Sequence, residues 1–128
     1  MFDPRLEIIR DKTILFIEKS KIVREIIGSM FLRYCKNVLI AEDGSGALEM
    51  FMLHRPDIAV VDIAINEPDG LMFIDSIKKI DADMPIVVIV DFYEDVIRKE
   101  IIADAIIVKP IDKNKLFDSI LGIFESKS

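Results

Sequence analysis

The chain has 128 residues, of which 52% are apolar, and a formal net charge of −6. That length holds one domain with a sizeable core, and the acidic balance argues against nucleic acid or an anionic membrane surface as a partner. One cysteine and one histidine exclude a disulfide framework and a usual structural zinc site.

No basic flank, apolar core and small-residue cleavage site opens the chain, so no signal peptide is expected. Apolar runs such as Ile86–Val90 are far too short to cross a bilayer. A soluble, cytoplasmic protein is the expectation.

Residues 1–12 read as a charged, weakly patterned arm, short helical or extended, with Leu6, Ile8 and Ile9 as its apolar group. Thr13–Ile17 reads as a strand ending at Glu18 and Lys19. Ser20 is a good N-cap, followed at helical spacing by Ile22, Val23, Ile26, Ile27, Met30 and Phe31. That helix should end near Cys35. Asn37–Ala41 is a second strand, and residues 42–46 (Glu-Asp-Gly-Ser-Gly) turn into a helix carrying Leu48, Phe51, Met52 and Leu53.

Ile58, Ala59, Val60 and Val61 lie between Asp57 and Asp62, bounded by Pro56 and a Pro-Asp-Gly cluster at 68–70. This reads as a strand buried on both faces. A helix with Leu71, Phe73, Ile74, Ile77 and Ile80 follows. Ile86–Val90 is another buried strand, closed by Asp91. Residues 94–103 read as a short helix, Ala105–Val108 as the last strand, and 112–124 as the closing helix. Strand and helix alternate five times. Right-handed crossovers then require a parallel sheet with helices on both faces.

The charged residues fall just after strands: Glu18 and Lys19 after the first, Asp62 after the third, Lys109 after the fifth. In a flavodoxin-like strand order, 2-1-3-4-5, the first and third strands are neighbours and their carboxyl ends form the ligand crevice. Such an order gathers Glu18, Lys19 and Asp62, with Lys109 reaching in from the side. A carboxylate there is costly to bury unless paired. Asp62 could equally be a strand-end acid held by a lysine for stability alone. Asp91 reads as a solvated cap, Asp57 as a strand start, and His54 as a surface residue.

These segments resemble the receiver domain of bacterial two-component response regulators, from Thr13 to about Phe124. The residues that carry the resemblance are 14–20 (Ile-Leu-Phe-Ile-Glu-Lys-Ser), Pro56-Asp57 through Asp62, Asp69-Gly70, the strand after Pro85, and Lys109-Pro110. The resemblance implies one receiver domain over residues 13–128 after an arm at 1–12. It has a single doubly wound five-stranded parallel sheet of flavodoxin-like order. It further implies that Asp62 accepts a phosphoryl group from a histidine kinase or phosphotransfer protein, and that Lys109 grips a phosphoryl oxygen. A Mg²⁺ ion held by an acidic pair and the acceptor normally assists. An unidentified output protein, meeting the last two helices and the strand between them, and a homodimer are the further partners such a domain can have. Neither nucleic acid nor membrane is expected.

The sequence departs from that family at several points. The acidic pair is Glu18-Lys19, so Glu18 and Asp62 face two lysines and the pocket sums to zero. A unit pair at ~4 Å with an effective dielectric near 20 is worth about 4 kcal/mol gross. Mg²⁺ at Glu18 and Asp62 is therefore expected to bind weakly or not at all, with Lys19 pairing with Asp62 in its place. Val90 stands where the switch hydroxyl is expected, Ile106 where an aromatic is, and Ile65-Asn66 where Met-Pro is, with the proline displaced to Pro68. Three readings follow: a phosphoacceptor receiver, a phosphorylation-independent pseudo-receiver that docks proteins, and a flavodoxin-like small-ligand binder. In none of them is the chain an enzyme beyond gaining and losing its own phosphoryl group, save that the crevice of the third could serve one.

Overall fold

A computed structural model describes residues 3–65 and 69–127. Five strands, β1 (Thr13–Ile17), β2 (Asn37–Ala41), β3 (Ile58–Asp62), β4 (Ile86–Val90) and β5 (Ala105–Val108), form one parallel sheet in the order β2-β1-β3-β4-β5. Between and after them come α1 (Lys21–Tyr34), α2 (Gly44–His54), α3 (Gly70–Ile80), α4 (Glu94–Arg98) and α5 (Lys113–Lys127). This is the sheet order and helix placement the sequence predicts.

The unbroken apolar strands have a direct cause. Successive side chains point to opposite faces, and both faces are covered. Ile14, Phe16, Ile58, Val60, Val87 and Ile89 join Phe31 of α1 and Leu116, Ile120 and Phe124 of α5 in one core. Leu15, Ile17, Ala59, Val61, Ile86 and Val88 join Phe51 of α2 and Phe73, Ile74 and Ile77 of α3 in the other. A strand with two buried faces has no place for a polar residue until it ends.

Caps fix where the helices begin. Ser20 Oγ accepts from Val23 N at 3.3 Å, Asp43 Oδ1 from Gly46 N at 2.8 Å, and Asp69 Oδ1 from Met72 N at 3.0 Å. Each satisfies a backbone donor that a helix start leaves open. At the amino ends of the strands, Asp57 Oδ2 accepts from Thr13 N at 2.7 Å and Asp104 Oδ2 from Ile86 N at 2.8 Å. Asp57 is thus the strand-start residue its position suggests.

One element differs from expectation. The helix expected over 94–103 stops at Arg98. Glu100 takes a left-handed φ of 51°, and Ile101 N bonds back to Val96 O at 3.0 Å while Glu100 N bonds to Ile97 O at 3.2 Å. That is a Schellman ending built on a residue other than glycine. It tucks Ile101 into the core, 7% exposed, and leaves Ile102 87% exposed. The arm at the start of the chain takes the short helical form. Residues Pro4–Ile9 form a 3-10 helix capped by Asp3, and Ile9 is wholly buried in the core of α1 and α5.

Candidate functional site

The alternation of each strand carries one step past its end. Phe16, Val60, Ile89 and Ile107 all face the α1/α5 core. Residues two further on in each strand, Glu18, Asp62, Asp91 and Lys109, share that side. The register sets β1, β3, β4 and β5 side by side, pairing Ile17 with Val61, Asp62 with Ile89, and Val90 with Val108. Four charged residues from four different strand ends are thereby brought to the carboxyl edge of the sheet.

Asp62 is the centre. Its side chain has no exposed surface. Oδ1 accepts from Ala64 N at 2.9 Å, and Lys109 Nζ stands 2.8 Å from Oδ2. That second contact is an ion pair off the ideal hydrogen-bond direction, so among the described residues Oδ2 has no well-aligned donor. Lys109 also reaches Asp91 Oδ1 at 2.9 Å. Its backbone is tied down by a bond from Lys109 N to Val90 O at 2.9 Å, and the Lys109–Pro110 peptide is cis. Burial works to lower the pKa of the Lys109 ammonium, but the bonds to Asp62 and Asp91 outweigh it and hold it above the ordinary lysine value. The same ammonium holds the Asp91 carboxyl below its usual range.

Glu18 is also buried, at the end of β1. Its backbone N bonds to Ala41 O at 3.0 Å, and its Oε2 accepts from Ser20 N at 3.2 Å. Loss of water raises its pKa first, and the neighbouring charge of Asp62 raises it further. Arg24 of α1 holds this turn, a role the sequence pattern leaves unseen. Its Nη1 donates to Glu18 O and Lys19 O, both at 2.9 Å, and its Nη2 lies 3.6 Å from Glu42 Oε2.

The structure does not bring Lys19 to Asp62. Lys19 is exposed, and among the described residues the ion-pair partner of Asp62 is Lys109. The reason is geometric and electrostatic. Lys19 follows the end of β1 and stays in solvent at the rim, and a second ammonium at Asp62 would be repelled by the first. Its positive charge is felt instead by Asp91. Asp91, read as a solvated cap, is a member of the cluster. With Lys19 outside, Glu18, Asp62, Asp91 and Lys109 sum to −2 rather than zero.

That charge alone does not make an ion site. Among the described residues no three Asp, Glu, His or Cys side chains converge so as to hold a metal. Glu18 and Asp62 supply two carboxylates, and one oxygen of Asp62 is already taken by the lysine. Mg²⁺ keeps several waters and needs only one or two carboxylates, so what counts against it here is the Lys109 ammonium already seated on Asp62 Oδ2, where the cation would stand.

Of the switch positions, Val90 is wholly buried in the α2/α3 core, on the side away from Asp62, and Ile106 packs against the same core. Neither bears a group that can hydrogen-bond. Asn66 and Pro68 lie outside the described residues. Beside the cluster runs an apolar groove of about 400 Å³, walled by Val23, Ile26 and Ile27 of α1 and by Pro110 and Ile111, with Glu18, Lys19 and Lys109 at its head. No helix among the described residues is long and apolar enough to cross a membrane.

Comparison with known proteins gives a consistent answer. The model of the response regulator receiver domain matches residues 14–121. The chemotaxis protein CheY of Halobacterium salinarum is 27% identical over 115 residues, covering 88% of this chain and 96% of that protein. A probable transcriptional regulator of Cyanophora paradoxa is 28% identical over 111 residues, 84% of this chain but 46% of that longer protein. The crystal structure of a response regulator receiver protein from Sinorhizobium medicae superposes with a TM-score of 0.81 at 24% identity, over 92% of this chain and 98% of the other.

Proposed function

Because this chain belongs to the response regulator receiver domain family, we propose that it serves two-component signalling as a phosphoacceptor, with Asp62 the acceptor and Lys109 the phosphoryl grip. The observation that carries this reading is the Asp62–Lys109 contact of 2.8 Å at the ends of β3 and β5. A carboxylate oxygen of Asp62 attacks phosphorus of a phosphohistidine on a histidine kinase or phosphotransfer protein. The N–P bond breaks, the imidazole leaves with its electron pair and takes a proton from water, and an acyl phosphate results. Transfer of this kind is mostly positioning and charge neutralisation. The fixed Lys109 ammonium supplies a positive charge where a metal-poor pocket needs one. The apolar groove beside α1 ends at the cluster and offers the partner a surface next to Asp62.

Incubation with acetyl phosphate, with and without Mg²⁺, followed by intact mass, tests the reading. One added phosphoryl group, absent from Asp62→Asn, is the expected result. No added mass under either condition overturns it.

A specific observation favours a second reading. The acceptor oxygens are covered, Val90 faces away from them, and Lys109 already neutralises Asp62. A pocket so arranged suits a pseudo-receiver held in one conformation and read by its partners without phosphate. Equal partner affinity of wild type and Asp62→Asn would identify it.

A further inference from the structure

Lys109 is held by two carboxylates of unequal standing. Asp62 is wholly buried, whereas the side chain of Asp91 is 48% exposed. Among the described residues the ion-pair partner of Asp91 is Lys109, which stands 2.9 Å from its Oδ1. Asp91 also leads directly into a turn whose first two side chains have little cover. Phe92 and Tyr93 are largely exposed, and α4 has only five residues, ending at Arg98 before the left-handed Glu100. The Lys109–Asp91 bridge therefore fastens the β4–α4 turn to the end of β5.

We propose that Asp91 is the resting seat of the Lys109 ammonium, and that phosphorylation of Asp62 draws the ammonium off this seat and releases the Phe92–Tyr93 turn. The inference rests on the phosphoacceptor reading above and adds to it the part that carries the signal. Phosphorylation exchanges a carboxylate for an acyl phosphate with more negative charge and three strong acceptor oxygens. Lys109 N remains bonded to Val90 O, so the stem stays and only the ammonium turns. The half-exposed Asp91 is readily rehydrated once the ammonium leaves, and an exposed ion pair is the cheaper one to break. The device needs no hydroxyl on β4 and no aromatic rotor on β5. Val90 and Ile106 supply neither. One ammonium shared by two carboxylates, 2.8 Å from Asp62 and 2.9 Å from Asp91, gives up the second contact when the first gains charge, the differential contact that a population shift requires.

The test uses the full chain labelled with ¹⁵N and acetyl phosphate as donor. A carboxylate oxygen of Asp62 attacks phosphorus, and acetate leaves with the electron pair of the broken P–O bond. Intact mass reports the transfer, and amide spectra report the segment 92–98. The expected result is displacement of those amide signals in step with the mass gain. Unphosphorylated Asp91→Asn should already show them displaced in the same direction, with most of the further displacement lost on phosphorylation. A mass gain with unmoved signals at 92–98 overturns the inference while leaving the acceptor reading intact. So does an Asp91→Asn protein that keeps the full wild-type response. Absence of any mass gain overturns both together.

Discussion

Lys109 Nζ lies 2.8 Å from Oδ2 of Asp62, the one carboxylate without exposed surface among the described residues. Removing one partner of a buried pair strands the other charge, at about 3–5 kcal/mol for fully buried cases. The Lys109 side chain is 30% exposed, so Lys109→Met is expected to cost about 2–3 kcal/mol. The double variant with Asp62→Asn should recover most of that loss. Urea unfolding of the four proteins measures it, and strictly additive single effects would contradict the pairing.

Glu18 contributes a pH dependence of known sign. Its folded pKa is raised, chiefly by loss of water. The folded state therefore holds the proton more tightly than the unfolded one, and stability falls as pH rises from the ordinary glutamate range through the folded pKa. Above that window the penalty is fully present. Glu18→Gln keeps an oxygen for Ser20 N and removes the charge. It is expected to be more stable than wild type at neutral pH, with the advantage vanishing below pH 4. Thermal unfolding at both ends checks this; an advantage independent of pH would not fit.

Gly70 opens α3 against the turn that follows Asp62. A Cβ there would meet Ile63 Cα at 2.7 Å and Ile63 O at 2.8 Å, backbone atoms that cannot step aside. Gly70→Ala is expected to cost about 2 kcal/mol or more and to slow phosphorylation of Asp62 by displacing its loop. Gly28 is the control. A Cβ there meets only the flexible tip of Ile40, at 2.7 Å, and alanine gains about 1 kcal/mol in helix propensity. Gly28→Ala should therefore be close to neutral. Equal losses in the two variants would rule out the backbone contact as the cause.

Lys19 stands exposed at the head of the groove, so its repulsion of a cation is screened but present. Lys19→Asp adds a carboxylate and removes an ammonium. Mg²⁺ affinity should rise by about tenfold, or about 1.4 kcal/mol, read by isothermal titration. An unchanged dissociation constant would mean that Glu18 and the Asp62–Lys109 pair, not Lys19, decide metal binding.

The sheet was legible because its three central strands, β1, β3 and β4, are buried on both faces and α1, α2 and α3 carry side-chain caps. Asp62 and Lys109 were legible because a charged residue that ends such a strand must sit at the sheet edge. What escaped was contact chemistry. The sequence puts Lys19 beside Glu18, but only the fold shows Glu18 buried while Lys19 stays exposed at the head of the groove. Asp91 looks like any acid before a turn until β4 and β5 are in register. Arg24 reads as an ordinary helix residue, because bonds to Glu18 O and Lys19 O depend on the fold of the turn beneath it. The early end of α4 rests on a left-handed Glu100 that no residue preference announces.

The short opening helix bears on anyone who would pare the chain back to its first strand. Arg5 clasps Asp118 of α5 at 2.7 Å, Lys12 sits 5.5 Å over the Phe124 ring, and Ile9 is sealed among Phe31 and its neighbours. Deleting these few residues would unroof the seam where α1 meets α5, wetting the interior rather than tidying a loose thread.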